Sequence, residues 1–338
     1  MAAAFLAGLI LRLVGLTYPP YDDHSFRQTQ TLSTIENYHS QGIDLLYPKT
    51  IYMGYPGTFV LELPLFQAVG ALLYDVFGQH LEIIRLMNIL MGAGAAWMVF
   101  RITWHFIDRR TATMATLLYW LAPLNITYQR SMLIDPTAVF FGLFCFYQLA
   151  LLLSPLDREN HSGRVSNWTL FVISTLLTAM IKALYLLPAV LLLLQQLMAR
   201  RFRFDRRILQ VGVVFAVAGA CFLIWNHHAT VVNESSPFTD GVKPTSLLGF
   251  SALLAPEFYN AFLLHRPKRE LGLIGLLLYP IGLWAAWFHG RKWPHFRSLL
   301  LIVLIPPTYL LCFANINRPH DYYQLIITPF LAIVSGYG

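Results

Sequence analysis

The sequence predicts an all-α protein: a polytopic transmembrane helix bundle with juxtamembrane helices in its first outer loop. Three observations predict it. Of the 338 residues, 57% are hydrophobic and 12% are charged, where a water-soluble domain carries roughly 25% charged residues. Mean hydropathy is +0.55. Apolar runs recur along the whole chain, several of them shorter than the roughly 20 residues that cross the hydrocarbon core, so residues 1–338 are expected to form one membrane domain rather than two or three soluble ones.

Ten candidate spans follow from the apolar runs: 1–17, 84–106, 111–124, 136–153, 168–181, 183–198, 208–226, 272–288, 298–314 and 322–338. The run 168–198 is too long for one untilted helix, and Lys182 and Pro188 divide it in two. Basic residues mark the cytoplasmic side of a membrane protein. With these spans Asp108-Arg109-Arg110, Arg158 with Arg164, the Arg200–Arg207 stretch, and Arg291-Lys292 with Arg297 all fall on one side. That holds on condition that the apolar stretch 58–77 does not cross, but lies on the outer face. The outer face then holds residues 18–83, 125–135, 227–271 and 315–321, and any chemistry is expected there, by default on the periplasmic face of a bacterial inner membrane.

Composition also excludes other readings. The net charge of +7 sits in short clusters between apolar runs, where topology explains it without nucleic acid. Cys145, Cys221 and Cys312 all lie in apolar runs with no CxxC pair, so neither a disulfide framework nor a zinc site is expected. All three read as buried thiols. The first cation is Arg12, so the N-terminus lacks the basic start of a signal peptide. The chain ends within an apolar run, and it is expected to be part of a longer protein.

Ionisable groups near lipid are costly and tend to be functional. The first outer loop opens with Asp22-Asp23-His24-Ser25-Phe26-Arg27 almost directly after the first span. Its bland reading is an ion pair between one of the aspartates and Arg27. The second outer loop carries Arg130 and Asp135-Pro136, where Asp135 also suits a helix N-cap. Lys182 is the most isolated charge, and at the outer surface a phosphate could be its anion; snorkelling is the alternative. His320 in Arg318-Pro319-His320-Asp321-Tyr322-Tyr323 could bind phosphate or sugar, whereas Tyr322 and Tyr323 also suit an interfacial belt. Carboxylates, cations and aromatics on one face of an apolar bundle suit a substrate with a sugar, a phosphate and a lipid tail.

The order of these features resembles the GT-C glycosyltransferases, in particular the protein O-mannosyltransferase and aminoarabinose-transferase branch, glycosyltransferase family 39. An acidic pair follows the first span, and Arg85 opens the second. A span ends at Ala122-Pro123, Arg130 and Asp135 follow, Lys182 sits on a later span, and His320-Asp321-Tyr322-Tyr323 matches a His-x-Tyr-Tyr segment. The family usually shows Asp-Glu where this chain has Asp22-Asp23, and its members commonly run on to further spans and a soluble C-terminal domain.

The resemblance implies a polyprenyl-phosphate sugar donor and an acceptor on a lipid, protein or polysaccharide. Phosphate is already a stable leaving group, so one carboxylate suffices as general base. Asp22 is assigned that role, with Asp23 as second candidate. Arg130, Lys182 and Arg27 would offset charge on the departing phosphate. Asp135 would orient one of those cations or help to hold a divalent metal, and His24, His320 and Tyr323 complete the substrate-binding candidates. A transporter or flippase is the main rival, since embedded charges also mark transport paths. A non-catalytic membrane subunit is the second.

Overall fold

The computed structural model describes residues 2–51, 57–154, 161–234, 251–288 and 296–338. Arg158, Arg291 and Lys292 lie outside the described residues. The helices are α1 (Ala2–Leu13), α2 (Ser25–Gln41), α3 (Leu65–Phe77), α4 (Leu81–Phe106), α5 (Arg109–Leu121), α6 (Pro123–Gln129), α7 (Asp135–Leu153), α8 (His161–Lys182), α9 (Leu187–Ala199), α10 (Arg206–Asn233), α11 (Pro256–Asn260), α12 (Pro267–Phe288), α13 (Phe296–Cys312), α14 (Ala314–Asn317) and α15 (Thr328–Tyr337). One two-residue strand pair, β1 (Lys49–Thr50) and β2 (Gly57–Thr58), closes a hairpin in the first loop. The protein is an all-α membrane bundle.

Among the described residues, five helical stretches are long and apolar enough to cross a membrane: α4, α7, Val165–Ala199, α10 and α12. Val165–Ala199 is 35 residues long, but it doubles back. Lys182 leaves helical geometry at φ −161°, ψ 86°, and a 3-10 turn covers Ala183–Leu186 before Pro188 starts α9. Lys182 contacts Asp135 at the start of α7. Arg200, just past α9, donates to the Leu153 carbonyl at the opposite end of α7. So α8 runs against α7 and α9 runs along it, and the division at Lys182 read from the sequence is where the chain turns.

The stretch 58–77 does not form a crossing helix. Within it α3 has 13 residues, about 20 Å at the helical rise, against a hydrocarbon core of roughly 30 Å. It buries Phe66, Gln67, Gly70 and Tyr74 and leaves Val69, Leu72, Val76 and Phe77 exposed, the pattern of a helix lying at an apolar interface. Its buried face packs on α2, where His39 meets Asp75 at 2.6 Å. The end of α10 clamps the same loop: Asn233 exchanges hydrogen bonds of 2.9 and 2.6 Å with the Val60 backbone, and the Trp225 indole donates to the Leu61 carbonyl.

Small residues set the closest helix contacts, as expected where van der Waals packing drives association in lipid. A Cβ on Gly282 of α12 would lie 1.9 Å from the Val334 carbonyl oxygen of α15, and one on Gly336 would lie 2.6 Å from the Ala115 nitrogen of α5. The cysteines differ in part from the expectation of three buried thiols. Cys145 is buried, while Cys221 and Cys312 are only half-buried. An apolar run does not distinguish the bundle-facing side of a helix from its lipid-facing side.

Candidate active site

The α1 C-terminus sets the position of the acidic loop. The turn that follows α1 presents backbone carbonyls, and arginines from elsewhere in the chain donate to them. Arg85, on α4, donates to Gly15 and Tyr18 carbonyls at 2.9 and 2.8 Å. Arg130 donates to the Val14 carbonyl at 2.9 Å. Below them Arg12, fully buried, is held by the Gln129 side chain, the Gly8 and Trp120 carbonyls and the Trp120 ring face. Arg130 is thus tied to the turn after α1, beside Arg85.

Asp22-Asp23-His24 follows this turn. Asp22 accepts from the Gln28 amide at 2.5 Å, and Gln28 itself is fixed by the Met132 backbone N–H at 3.0 Å. Asp22 forms no ion pair among the described residues. Asp23 pairs with Arg269 at 2.5 Å. His24 has a positive φ of 55°, uncommon outside glycine, and the turn aims its ring at Asp321, with Nε2 3.1 Å from Oδ1. Arg27 is not a partner of the acidic pair. It bonds Glu62 and, at 2.6 Å, Gln30. Burial alone would lower the Arg27 guanidinium pKa; Glu62, Tyr322, Tyr323 and Asp135 together outweigh it and hold that pKa above its ordinary value.

Asp321 joins three chain segments. It accepts from Tyr128, from Arg269 at 2.5 Å and from His24. Burial opposes its charge, but those hydrogen bonds and the Arg269 charge bring its pKa down to about 2. One residue earlier, His320 packs its ring 5.5 Å from His24 and 6.0 Å from Tyr323. Burial, reinforced by the electrostatic influence of His24 and Lys182, lowers its pKa to about 4, so the ring is neutral at physiological pH. Its Nδ1 is buried without a hydrogen-bond partner.

Lys182 finds a carboxylate rather than needing an outside anion. Its Nζ lies 2.5 Å from Asp135 Oδ1 and 4.0 Å from the Tyr323 ring centre. The Tyr185 hydroxyl donates to the same Asp135 oxygen at 2.8 Å. Asp135 is therefore no N-cap: it makes no capping bond to α7, and its other oxygen is buried and unpartnered. The Asp135 carboxylate also does not suit a metal, because an ammonium already occupies it. No group of three His, Cys, Asp or Glu converges among the described residues.

The rings of His24, His320, Tyr322 and Tyr323 bridge the two halves, from Asp321 to Lys182. Asp23, His24, Arg27, Asp135, Lys182, His320 and Tyr323 thereby gather at one end of the bundle. The sequence reading missed Arg269, Asp321, Tyr128, Gln28 and Glu62. For Arg269 a signal existed: Arg266, Lys268 and Arg269 form a basic cluster in a segment assigned to the outer face, against the charge rule used to assign it. Arg266 donates to the Asn317 and Arg318 carbonyls at 2.5 and 2.6 Å, so this cluster holds the His320 segment in place. Tyr128, Gln28 and Glu62 carry no local signal.

The fold and this charged end define a helical membrane bundle with a polar cluster at one end. No protein-family model matches the chain, and no curated protein matches it by sequence. Among solved structures, it is similar to ArnT from Cupriavidus metallidurans bound to undecaprenyl phosphate, with a TM-score of 0.74 at 15% identity over 99% of this chain. It is also similar to the archaeal oligosaccharyltransferase AglB from Archaeoglobus fulgidus in complex with an inhibitory peptide and a dolichol-phosphate, with a TM-score of 0.61 at 11% identity over 99% of this chain and 50% of that one. The A. fulgidus enzyme in complex with Zn and sulfate gives 0.63 at 13% identity over 99% of this chain and 48% of that one. The chain spans 59% of the length of the ArnT chain. At these identities what is shared is the fold, and this chain has the GT-C fold.

Proposed function

We propose that this protein is a glycosyltransferase that moves a sugar from a polyprenyl-phosphate donor to an acceptor hydroxyl or amine, with inversion, at the membrane face that carries the Asp22–Lys182 cluster. The observation that carries the reading is the convergence of an acidic pair, cations and a His–Tyr ring cluster from separate chain segments at one end of a GT-C bundle. Structural neighbours of that fold were solved with undecaprenyl phosphate and with dolichol-phosphate. By the positive-inside reading the face is the outer one, periplasmic in a bacterium.

In the proposed step the acceptor oxygen or nitrogen attacks the anomeric carbon while the bond from that carbon to the phosphate oxygen breaks. The acceptor proton passes to a carboxylate, and the polyprenyl phosphate leaves as an anion. Of the two aspartates Asp22 is the better base, because Asp23 is neutralised by Arg269 while Asp22 is oriented by a neutral amide. Arg27, Arg130 and Lys182 are the candidates to offset phosphate charge. Lys182 arrives already oriented by Asp135. A neutral His320 suits a sugar hydroxyl better than a phosphate, and its unpartnered Nδ1 and the unpartnered Asp135 oxygen are acceptors for such hydroxyls.

General-base catalysis contributes about 10²–10⁴-fold. Asp22→Asn in membranes carrying the full-length protein is expected to cut transfer by about that factor, with Asp23→Asn less affected. Full activity in Asp22→Asn, with loss in Asp23→Asn, would move the base to Asp23.

A further inference from the structure

At the end of the bundle opposite Lys182, α9 and α13 enclose a lateral groove of about 460 Å³, within the roughly 300–1,000 Å³ of ligand pockets. Leu194, Met198, Leu301 and Leu304 form its apolar wall, and Arg201 and Arg297 stand at its mouth. Both arginines are exposed, and neither forms an ion pair among the described residues. Between wall and mouth, Gln195 donates its amide to the Arg297 carbonyl, and its own carbonyl oxygen is buried with no hydrogen-bond partner among the described residues. An apolar trough, two unpaired cations and one orphaned acceptor occur together at the level where Arg200 caps the inner end of α7.

We infer that this groove is a binding site for an anionic glycerophospholipid of the leaflet at the basic end of the bundle. One acyl chain lies along the leucine wall, and the phosphate meets Arg201 and Arg297. A headgroup hydroxyl, as in phosphatidylglycerol, donates to the Gln195 oxygen. Basic pockets between transmembrane helices recognise acidic headgroups in this way, while a chain held by apolar contact alone would not discriminate charge. The site is distant from the proposed transfer site and does not depend on that reading.

Native mass spectrometry of the purified full-length protein, titrated with phosphatidylglycerol or with phosphatidylcholine of matched chains, tests it. Two such charges predict a preference of about thirtyfold for phosphatidylglycerol, with one molecule retained. The double variant Arg201→Gln/Arg297→Gln is expected to reduce the two lipids to parity, with an unchanged unfolding temperature in phosphatidylcholine nanodiscs. Leu304→Trp, which fills the wall but keeps both charges, is expected to weaken phosphatidylglycerol retention. Parity of the lipids on the wild type, a preference that survives loss of both arginines, or indifference to Leu304→Trp would each overturn the site.

Discussion

Asp135 is wholly buried, and the cation that balances it is the Lys182 ammonium 2.5 Å away. Taking two charges out of water is costly, and removing one partner of a buried pair costs about 3–5 kcal/mol because the other is left uncompensated. Lys182→Met is therefore expected to destabilise the detergent-solubilised protein by about that amount. Adding Asp135→Asn, which still accepts from Tyr185, should restore most of the loss in thermal unfolding. His320 gives a pH signature. Its folded-state pKa, about 4, lies below the ordinary histidine value, so the neutral ring is favoured by the fold. That contribution is complete above about pH 6.5 and is lost as pH falls toward 4. His320→Gln should flatten the unfolding temperature across that window. A wild-type slope retained in the variant would place the titrating group elsewhere. At this scale the sequence was partly legible: Asp22, Asp23, Lys182 and His320 stood out as charges beside lipid. Their partners did not, because Asp321 meets Tyr128 and His24 across separations that no local pattern records.

At the scale of elements, the helices packed around α15 meet through missing side chains. Gly282→Ala would drive a methyl into the Val334 carbonyl, and overpacking of a tight contact typically costs about 1–3 kcal/mol. Gly212, on α10, has nothing within 4 Å of its would-be Cβ. Gly212→Ala should therefore be neutral or slightly stabilising, as helix propensity alone dictates. Unfolding temperatures of the two variants check the contrast, and equal effects would contradict the packing account. Most elements were legible from apolar run length and punctuation: Pro123 starts α6, and the Lys182–Pro188 interval turns α8 into α9. Span ends were less so. The run 322–338 resolves into a 3-10 turn over Asp321–Ile326 and then α15, because Tyr322 and Tyr323 turn into the site rather than marking an interfacial belt.

For the whole molecule, the bundle holds a polar cluster at one end that no single segment could build. The loop after α1, α6, the start of α7 and the end of α8, the start of α12 and the segment before α15 each contribute a member. Arg269 connects two of the carboxylates, and the kink at Gly272, φ 66°, follows directly behind it. The fold class was readable from composition and order of features. The convergence itself was inferred only from charges sharing a face, and the basic cluster at Arg266–Arg269, in a segment the charge rule would not place on the outer face, was the overlooked sign of it.

The central claim is single-displacement sugar transfer from a lipid phosphate, and the configuration of the product tests it most directly. Membranes carrying the full-length protein would be given a labelled polyprenyl-phosphate sugar of defined anomeric configuration, and the glycosylated acceptor would be read by NMR. One carboxylate acting as base on a direct attack predicts a product of inverted configuration, with stoichiometric release of polyprenyl phosphate. A product of retained configuration, or a donor carried across the membrane intact with no glycosidic bond formed, would contradict the account.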